Sequence, residues 1–160
     1  MDASSNLLAL LHQHQVDFVI IGGFAGVVYG SAFVTNDIDV CCHLDPATIE
    51  KLRVALHTLS PKHRLTPQRL SFLDFPADIS TIKNLYLQTD LGNLDVFSEV
   101  LGIGDFESVK RASNGITIHG DTYRLLTLDA LIKSKEAMGR PKDLAAVAEL
   151  KVIRERSQKA

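Results

Sequence analysis

The pattern of hydrophobic and polar positions predicts that helices and strands alternate in the first part of the chain. Four leucines between positions 7 and 11 recur at the spacing of one helical face, and short apolar runs bounded by turn residues are typical of buried strands. A Gly-Gly pair ends the first such run. An Asp-Pro pair marks a helix start, because aspartate caps a helix and proline fits its first turn. The predicted elements are a helix around 7–11 capped by Ser4 or Ser5, a strand at 18–21, a short helix at 25–29, a strand at 35–44 and a helix from Asp45 to about 59.

The second half of the chain predicts hairpins followed by helices. Residues 60–81 carry three of the five prolines and show no clear periodicity, so we expect a loop with some extended structure there. Thr127 can cap a helix that Gly139 and Pro141 end, because glycine adopts the left-handed conformation common at helix ends. The predicted elements are strands at 84–89 and 94–99 joined by a turn, a short helix capped by Asp105, a hairpin of strands at 116–118 and 123–125, and helices at 127–139 and 143–156.

This order of elements predicts one α/β domain of the α+β type, in which helices flank a mixed β-sheet. A length of 160 residues fits a single domain over 1–160, and 46% hydrophobic residues are enough to build its core. We expect the C-terminal helices, over about 127–157, to pack on that core.

Composition and charge restrict the expected location and partners of the protein. No apolar run approaches the roughly 20 residues of a membrane span, and the N-terminus lacks the segments of a secretion signal. Cys41 and Cys42 are adjacent and therefore poorly placed for a structural disulfide. These features predict a cytoplasmic protein with no membrane partner. The net charge of −2 argues against unspecific nucleic-acid binding, although eight Lys/Arg face four Asp/Glu from Lys133 onward.

Three aspartates in strand-like sequence are the strongest chemical signal. Asp37 and Asp39 are separated by one residue in a predicted strand, so both carboxylates point to the same face. Asp95 lies in a similar apolar setting. Like charges held close together need a proton or a cation between them, and carboxylate oxygens are ligands that suit Mg²⁺. If the two strands are neighbours, the aspartates predict a site for two metal ions about 4 Å apart. Taken singly, Asp37 is better explained as a turn residue and Asp95 as a strand-edge charge, but their combination favours the metal site.

Gly22 and Gly23 follow a predicted strand and precede a predicted helix. Backbone N–H groups at a helix N-terminus favour anions, and the missing side chains let a triphosphate approach closely. The pair has neither the Gly-Lys-Ser/Thr ending of a Walker loop nor the spacing of a dinucleotide fingerprint. Alone it predicts only a turn. Its position shortly before the paired acids makes it a candidate phosphate site.

The order of these motifs resembles the polymerase-β-type nucleotidyltransferase superfamily. There, a Gly-Gly or Gly-Ser turn precedes a strand with paired acids, and a third acid lies on a neighbouring strand. The matching segments are 21–23, 35–40 and 94–96. Two further segments, 88–95 and 135–143, resemble the small bacterial nucleotidyltransferases related to AbiEii-type toxins. The resemblance covers roughly residues 16–150 and implies a nucleotidyltransferase fold.

The resemblance implies a role for each matching residue. Gly22 and Gly23 would hold the β- and γ-phosphates of ATP or another NTP. Asp37 and Asp39 would ligate two Mg²⁺ or Mn²⁺ ions. Asp95 would complete the catalytic metal site and help to deprotonate the acceptor hydroxyl.

The C-terminal helices would supply the other side of the nucleotide site. The resemblance implies that Lys135 and Asp143 border the nucleotide, with Lys135 neutralising triphosphate charge. The implied reaction is in-line attack on the α-phosphorus with release of pyrophosphate. The chain departs from the family at Phe33, where an arginine is common between the glycines and the paired acids. Phenylalanine cannot bind a phosphate as arginine does, which weakens the expectation of triphosphate affinity and of activity.

Three functions remain open on the sequence alone. The first is transfer to a hydroxyl of tRNA or protein by the toxin of a toxin–antitoxin pair, with an antitoxin as partner. The second is the same chemistry on a small molecule, as in antibiotic adenylyltransferases. The third is an inactive nucleotide-binding or interaction module. The three acids favour an enzyme, because such a cluster is costly without a cation. The short chain leaves the acceptor to the C-terminal helices or to a second copy in a homo-oligomer, and the spacing of motifs does not reveal the preferred base.

Overall fold

The computed structural model describes residues 2–159. Six α-helices, nine β-strands and a short 3₁₀ turn at His57–Leu59 make up this part of the chain. The helices are α1 (Ala3–Gln13), α2 (Gly22–Tyr29), α3 (Pro46–Leu56), α4 (Phe106–Arg111), α5 (Leu128–Met138) and α6 (Pro141–Lys159). The strands are β1 (Val19–Ile21), β2 (Asp37–Cys41), β3 (Lys62–His63), β4 (Asn84–Thr89), β5 (Gly92–Phe97), β6 (Glu99–Val100), β7 (Gly104–Asp105), β8 (Ser113–Ile118) and β9 (Asp121–Leu126).

Seven of the strands form one sheet in the order β3-β4-β5-β2-β1-β9-β8. β2 runs parallel to β5, and β1 runs parallel to β9, whereas the other neighbours are antiparallel. β6 and β7 form a separate two-stranded ribbon. The predicted α/β architecture with a mixed sheet flanked by helices is therefore confirmed.

Two groups of helices pack with this sheet. α1 contacts α3, whereas α2 contacts both α5 and α6. The leucine stripe predicted for α1 is buried at Leu7, Leu8 and Leu11. Helices of this length are marginal in water by themselves, so burial of an apolar stripe is what stabilises them. No helix within residues 2–159 is long and apolar enough to cross a membrane.

Local sequence signals set the ends of α3 and α5. Asp45 caps α3 by accepting a hydrogen bond from the Thr48 N–H at 2.8 Å. Thr127 caps α5 in the same way, with its hydroxyl oxygen 3.2 Å from the Ala130 nitrogen. Gly139 ends α5 in the left-handed conformation, with φ of 67°. These predicted boundaries are confirmed.

Several predicted boundaries differ from the structure. Asp2, rather than Ser4 or Ser5, caps α1, and its Oδ1 accepts the Ser5 N–H at 2.8 Å. The strand expected at 35–44 spans only Asp37–Cys41. Pro141 opens α6 instead of only ending α5, since proline at the first helical position loses no hydrogen bond.

In the segment predicted as a loop with some extended structure, the structure forms a short strand whose partner was not predicted. Lys62 and His63 form β3 and extend the sheet by pairing with Leu87 and Gln88 of β4. Both partners lie more than 20 residues further along the chain. No local pattern signals such a pairing, which explains why the sequence analysis missed this strand.

Candidate active site

The strands that carry the acids are neighbours in the sheet. Asp39 of β2 lies opposite Asp95 of β5 on one side and Ile21 of β1 on the other. Tyr86 of β4 lies opposite Asp95. Directly opposed residues on paired strands share a face of the sheet, so these four residues form one row across four strands. We call Ile21, Asp39, Asp95 and Tyr86 the acid row.

Asp37 lies two residues before Asp39 and therefore on the same face of β2. Its Oδ1 accepts a hydrogen bond from Nδ2 of Asn93 at 3.1 Å, across the pair of parallel strands. The Thr35 hydroxyl donates to the Asp37 carbonyl oxygen at 3.2 Å and lies 3.4 Å from the Asp37 nitrogen. These contacts fix the entry to β2 and hold the Asp37 carboxylate beside the acid row.

The Asp39 carboxylate lies in an electrostatically unfavourable place. Burial, followed by the negative charges of Asp95 and Asp37, raises the pKa of Asp39 to about 6. The positive charges of Lys135 and Arg64 oppose this rise. The three carboxylates are therefore close enough to repel one another, and a bound cation would relieve that repulsion.

Asp95 is held by a residue that the sequence analysis missed. It is only 7% exposed, and its two carboxylate oxygens accept hydrogen bonds from the two terminal nitrogens of Arg64, Nη1 to Oδ1 and Nη2 to Oδ2 at 2.8 Å. The guanidinium carbon of Arg64 also lies 5.7 Å from the centre of the Tyr86 ring, within cation–π range. A buried acid requires a counter-charge, so the apolar setting of Asp95 in the sequence indicates that a basic residue lies beside it. Only the pairing of β3 with β4 shows which basic residue supplies it.

The glycine pair forms the first turn of α2 and lies against the acids. Gly22 has φ of 69°, and a side chain there would overlap the Asp39 carboxylate. A Cβ at Gly23 would lie 3.2 Å from the side chain of Thr35. The N-cap of α2 is Ile21, which offers no side-chain hydrogen bond to the first N–H groups of the helix. These N–H groups can therefore bind an anion, next to the candidate metal ligands.

Lys135 and Asp143 both face the same cavity, but only one of them has a free charge. Burial lowers the pKa of Lys135, and the nearby carboxylates of Asp143 and Asp39 partly offset this effect. Asp143 is 3% exposed and accepts hydrogen bonds from Nε of Arg140 at 2.5 Å and from Nη2 at 3.1 Å. These bonds hold the pKa of Asp143 below its usual range. Asp143 therefore positions Arg140 at the cavity, instead of offering a free carboxylate to a ligand.

The loop between α2 and β2 is anchored by the C-terminal helix. Glu149 of α6 accepts hydrogen bonds from the Ser31 hydroxyl at 2.5 Å and from the Ala32 N–H at 2.9 Å. Phe33 follows with 53% of its surface exposed, and Val34 is 91% exposed. Both residues line the cavity near the glycine pair. Phe33 thus lies at the entrance to the site, with no cation in the place where an arginine was expected.

One cavity of about 1120 Å³ joins these residues. It exceeds the usual range for small-ligand sites, about 300–1,000 Å³, and therefore has room for a nucleotide and a second small molecule. The walls formed by α2, α5 and α6 carry glycines, two lysines and several apolar residues, namely Gly22, Gly23, Gly26, Lys135, Lys142, Leu131, Met138, Ala145, Ala146 and Leu150, and Arg140 lies between α5 and α6. The walls formed by β4, β5 and the β6–β7 ribbon carry aromatic and aliphatic residues, namely Tyr86, Phe97, Val100, Leu101 and Ile103, together with Asn84, Asp95 and Glu99.

The carboxylates suit a hard cation, although they are not yet gathered around one point. Among the described residues, no group of three or more His, Cys, Asp and Glu side chains is arranged to hold a metal ion. Asp95 instead binds Arg64 through both of its oxygens. Asp37 and Asp39 supply oxygen ligands on one face, and the raised pKa of Asp39 reflects repulsion that a cation would relieve. The oxygen ligands of Asp37 and Asp39 therefore fit Mg²⁺ or Mn²⁺.

Comparison with solved structures identifies several proteins with the same fold. The lincosamide antibiotic adenylyltransferase LnuA, solved with lincomycin bound, superposes with a TM-score of 0.64 at 15% sequence identity, over 94% of this chain and 96% of LnuA. The antibiotic-resistance factor ANT(2'')-Ia gives a TM-score of 0.58 at 15% identity, over 98% of this chain and 90% of its own. An antigenic nucleotidyltransferase-like protein from Paracoccidioides brasiliensis gives 0.51 at 20% identity, over 92% of this chain and 72% of its own.

Sequence comparison adds no closer relative. No protein-family model and no curated protein sequence matches the chain. The resemblance to AbiEii-type toxins therefore stays a prediction. At 15–20% identity the structural likeness shows the fold alone. The chain has the fold shared by these nucleotidyltransferases.

Proposed function

We propose that this chain is a metal-dependent nucleotidyltransferase, which moves a nucleoside monophosphate from an NTP to a hydroxyl group. Because one fold can host many activities, the proposal depends on the chemistry of the site. The observation that carries it is the convergence of the glycine turn, Asp37, the acid row and Lys135 on one cavity. The shared fold agrees with this function.

The glycine turn and the basic residues of the cavity suit the triphosphate. The N–H groups at the start of α2 would bind the β- and γ-phosphates, and Lys135 and Arg140 would neutralise their charge. Lys135 is partly desolvated, so its attraction to a phosphate is stronger than that of a lysine in bulk water. Asp143 would act indirectly, by holding the Arg140 guanidinium in place.

The acids suit the reacting end of the nucleotide. Asp37 and Asp39 would hold the metal ions, which when bound supply positive charge to the α-phosphate and to the leaving pyrophosphate. Asp95 would complete the catalytic metal site and help to accept the proton of the acceptor hydroxyl. The acceptor oxygen then forms a bond to the α-phosphorus, the bond from that phosphorus to the bridging oxygen breaks, and pyrophosphate leaves with the electron pair.

The opposite walls of the cavity favour a small acceptor over tRNA or protein. Tyr86 and Phe97 lie next to Asp95 and pack edge to face, with ring centres 5.8 Å apart. Val100, Leu101 and Ile103 continue this apolar surface. An RNA acceptor would call for a basic groove beside the acids, whereas a drug-sized molecule is usually bound by an apolar pocket with few polar groups. We therefore place a hydroxyl-bearing small molecule first among the acceptors.

Transfer of label from α-³²P-NTPs tests the activity and the acceptor together. Each NTP is incubated with the protein, Mg²⁺ or Mn²⁺, and separately with total bacterial RNA, total protein and a panel of hydroxyl-bearing small molecules that includes aminoglycosides and lincosamides. The double variant Asp37→Ala/Asp39→Ala removes two metal ligands, and Asp74→Ala is the control because Asp74 is exposed and outside the cavity. We expect label on a small molecule with the native chain and the control, and none with the double variant.

The other outcomes separate the remaining functions. Label on tRNA or protein would confirm transfer but overturn the preference for a small acceptor, and growth arrest on expression would then support a toxin with an antitoxin. Binding of an NTP with metal but no transfer to any acceptor would support the inactive module. If neither NTP nor metal binds, the nucleotidyltransferase proposal is wrong.

A further inference from the structure

The contact between Arg64 and Asp95 has a consequence for the order in which ligands bind. Both oxygens of Asp95 accept a hydrogen bond from one planar guanidinium, and this pair lies in a largely buried setting, with side-chain exposures of 20% for Arg64 and 10% for Asp95. The backbone holds Arg64 as well, since its N–H donates to the Tyr86 carbonyl oxygen at 3.0 Å. Arg64 is therefore fixed over the acid row from two directions.

A guanidinium and a divalent cation compete for the same carboxylate. A bidentate pair with arginine is strong because both hydrogen bonds are charge-assisted. A metal ion that binds Asp95 from the side of Asp39 would have to approach this positive group closely, and the two positive charges repel each other in a medium of low polarity. Arg64 also lowers the negative potential felt at Asp39. The pair thus opposes metal binding at Asp95 in two ways.

We infer that Arg64 occupies Asp95 in the substrate-free protein and is displaced by the metal ion that arrives with the nucleotide. This inference rests on the proposed function and adds a binding order to it. Metal alone binds weakly, because it must break the pair without help. Metal with a triphosphate binds well, because the phosphates bring negative charge that offsets the repulsion between the metal ion and Arg64.

The Tyr86 ring can bind the displaced guanidinium through a cation–π contact. The Tyr86 ring lies 5.7 Å from the guanidinium carbon and directly opposite Asp95 in the sheet. A small rotation of the Arg64 side chain can break its hydrogen bonds to Asp95 while the contact with the ring persists. Arg64 is therefore a positioning residue, which acts through Asp95 and not on the reacting atoms.

Binding of Mn²⁺ to the full chain tests this inference without an activity readout. The concentration of free Mn²⁺ is followed by electron paramagnetic resonance, first without nucleotide and then with the non-hydrolysable α,β-methylene analogues of ATP, CTP, GTP and UTP. The variants are Arg64→Gln and Arg64→Lys. Arg69→Gln is the matched control, because Arg69 lies in the same segment, is exposed, bonds to Gln88 and does not line the cavity. Circular dichroism and thermal unfolding verify that each variant is folded.

We expect Mn²⁺ alone to bind Arg64→Gln about tenfold or more tightly than the native chain, because loss of one charge-assisted competitor is worth at least about 1.4 kcal/mol. Arg64→Lys, which keeps the charge but loses the planar fork, should lie between the two, and Arg69→Gln should match the native chain. The analogues should strengthen Mn²⁺ binding more in the native chain than in Arg64→Gln. If Mn²⁺ binds Arg64→Gln no more tightly than the native chain, the inference is wrong. The proposed function would still stand in that case, provided that the nucleotide analogues strengthen Mn²⁺ binding. Absence of Mn²⁺ binding in every variant, with or without nucleotide, would overturn both.

Discussion

Replacement of Asp39 by asparagine should stabilise the metal-free protein while it removes the proposed activity. The Asp39 carboxylate is largely buried and faces the negative charges of Asp95 and Asp37, so its ionised form is unfavourable in the folded state. Asparagine has nearly the same shape and no charge. The fold therefore tolerates Asp39 at a cost that the metal site would justify, and such a conflict between stability and function is common at active sites.

The size of the effect follows from the pKa of Asp39. The pKa rises from 3.8 to about 6, and a difference of about 2 pKa units corresponds to about 3 kcal/mol of unfolding free energy. Partial exposure of the side chain and the burial of an amide reduce this value, so we expect about 2 kcal/mol. For a domain of this size, the melting temperature should then increase by roughly 4–8 °C.

The pH dependence of the difference identifies its cause. Well above pH 6, as at pH 8, the carboxylate is ionised in both the folded and the unfolded protein, so the native chain bears the full penalty. As the pH falls from about 6 to 3.8, the folded protein binds a proton before the unfolded one does, and the penalty shrinks. The two chains should therefore be equally stable near pH 4. Mg²⁺ with NTP should stabilise the native chain at pH 8 and leave Asp39→Asn unaffected.

Thermal and urea unfolding in EDTA, at pH 8 and at pH 4, measure this difference. Asp74→Asn is the control, because Asp74 is exposed and outside the cavity, and its stability should match that of the native chain. The reasoning is refuted if Asp39→Asn is less stable than the native chain at pH 8. It is also refuted if a gain at pH 8 persists unchanged at pH 4, since repulsion between carboxylates would then not be its cause.

Three further substitutions test other parts of the site. Gly22→Ala should destabilise the fold by about 2–4 kcal/mol and abolish transfer, because Gly22 has a positive φ and the added Cβ would overlap the Asp39 carboxylate. Gly120→Ala is the control: at φ of 87° with open space around it, this variant should show only the backbone strain of about 1–2 kcal/mol. Lys135→Met should weaken NTP binding at least about tenfold in calorimetry, whereas Lys133→Met, on the exposed side of the same helix, should not. Leu101→Ser should raise the KM for the acceptor several-fold and leave NTP affinity unchanged, since Leu101 lies on the apolar wall. A change in NTP affinity for Leu101→Ser would contradict this division of the cavity.

The parts of the fold that local chemistry determines were predictable from the sequence. The Asp45-Pro46 helix start, the Thr127 cap and the Gly139 end depend on contacts within four residues, and each is confirmed. The expectation that the strands of Asp39 and Asp95 are neighbours is also confirmed by the sheet. The apolar residues around each acid were enough to predict that both acids lie on strands.

The remaining features depend on contacts between distant parts of the chain. β3 exists because it pairs with β4, and Arg64 reaches Asp95 only through that pairing. The need for glycine at position 22 comes from the carboxylate of Asp39, which is 17 residues away in sequence. Asp143 lines the cavity, and its role at the nucleotide stays a prediction, but its hydrogen bonds to Arg140 were not foreseen. Periodicity carries no information about these pairings, so the sequence identified the acids but not their counter-charge.

In the proposed function, the chemistry and the choice of acceptor depend on parts of the protein with different rigidity. The separation of Asp39 and Asp95 is set by hydrogen bonds between two central strands, so it resists change elsewhere in the molecule. Leu101 and Ile103, which line the cavity where we propose that the acceptor binds, lie in the turn of a ribbon whose strands have only two residues each. Short surface elements tolerate substitution and insertion far better than the centre of a sheet. Acceptor preference can therefore diverge quickly among relatives, or be redesigned in the laboratory, while the reacting centre stays the same.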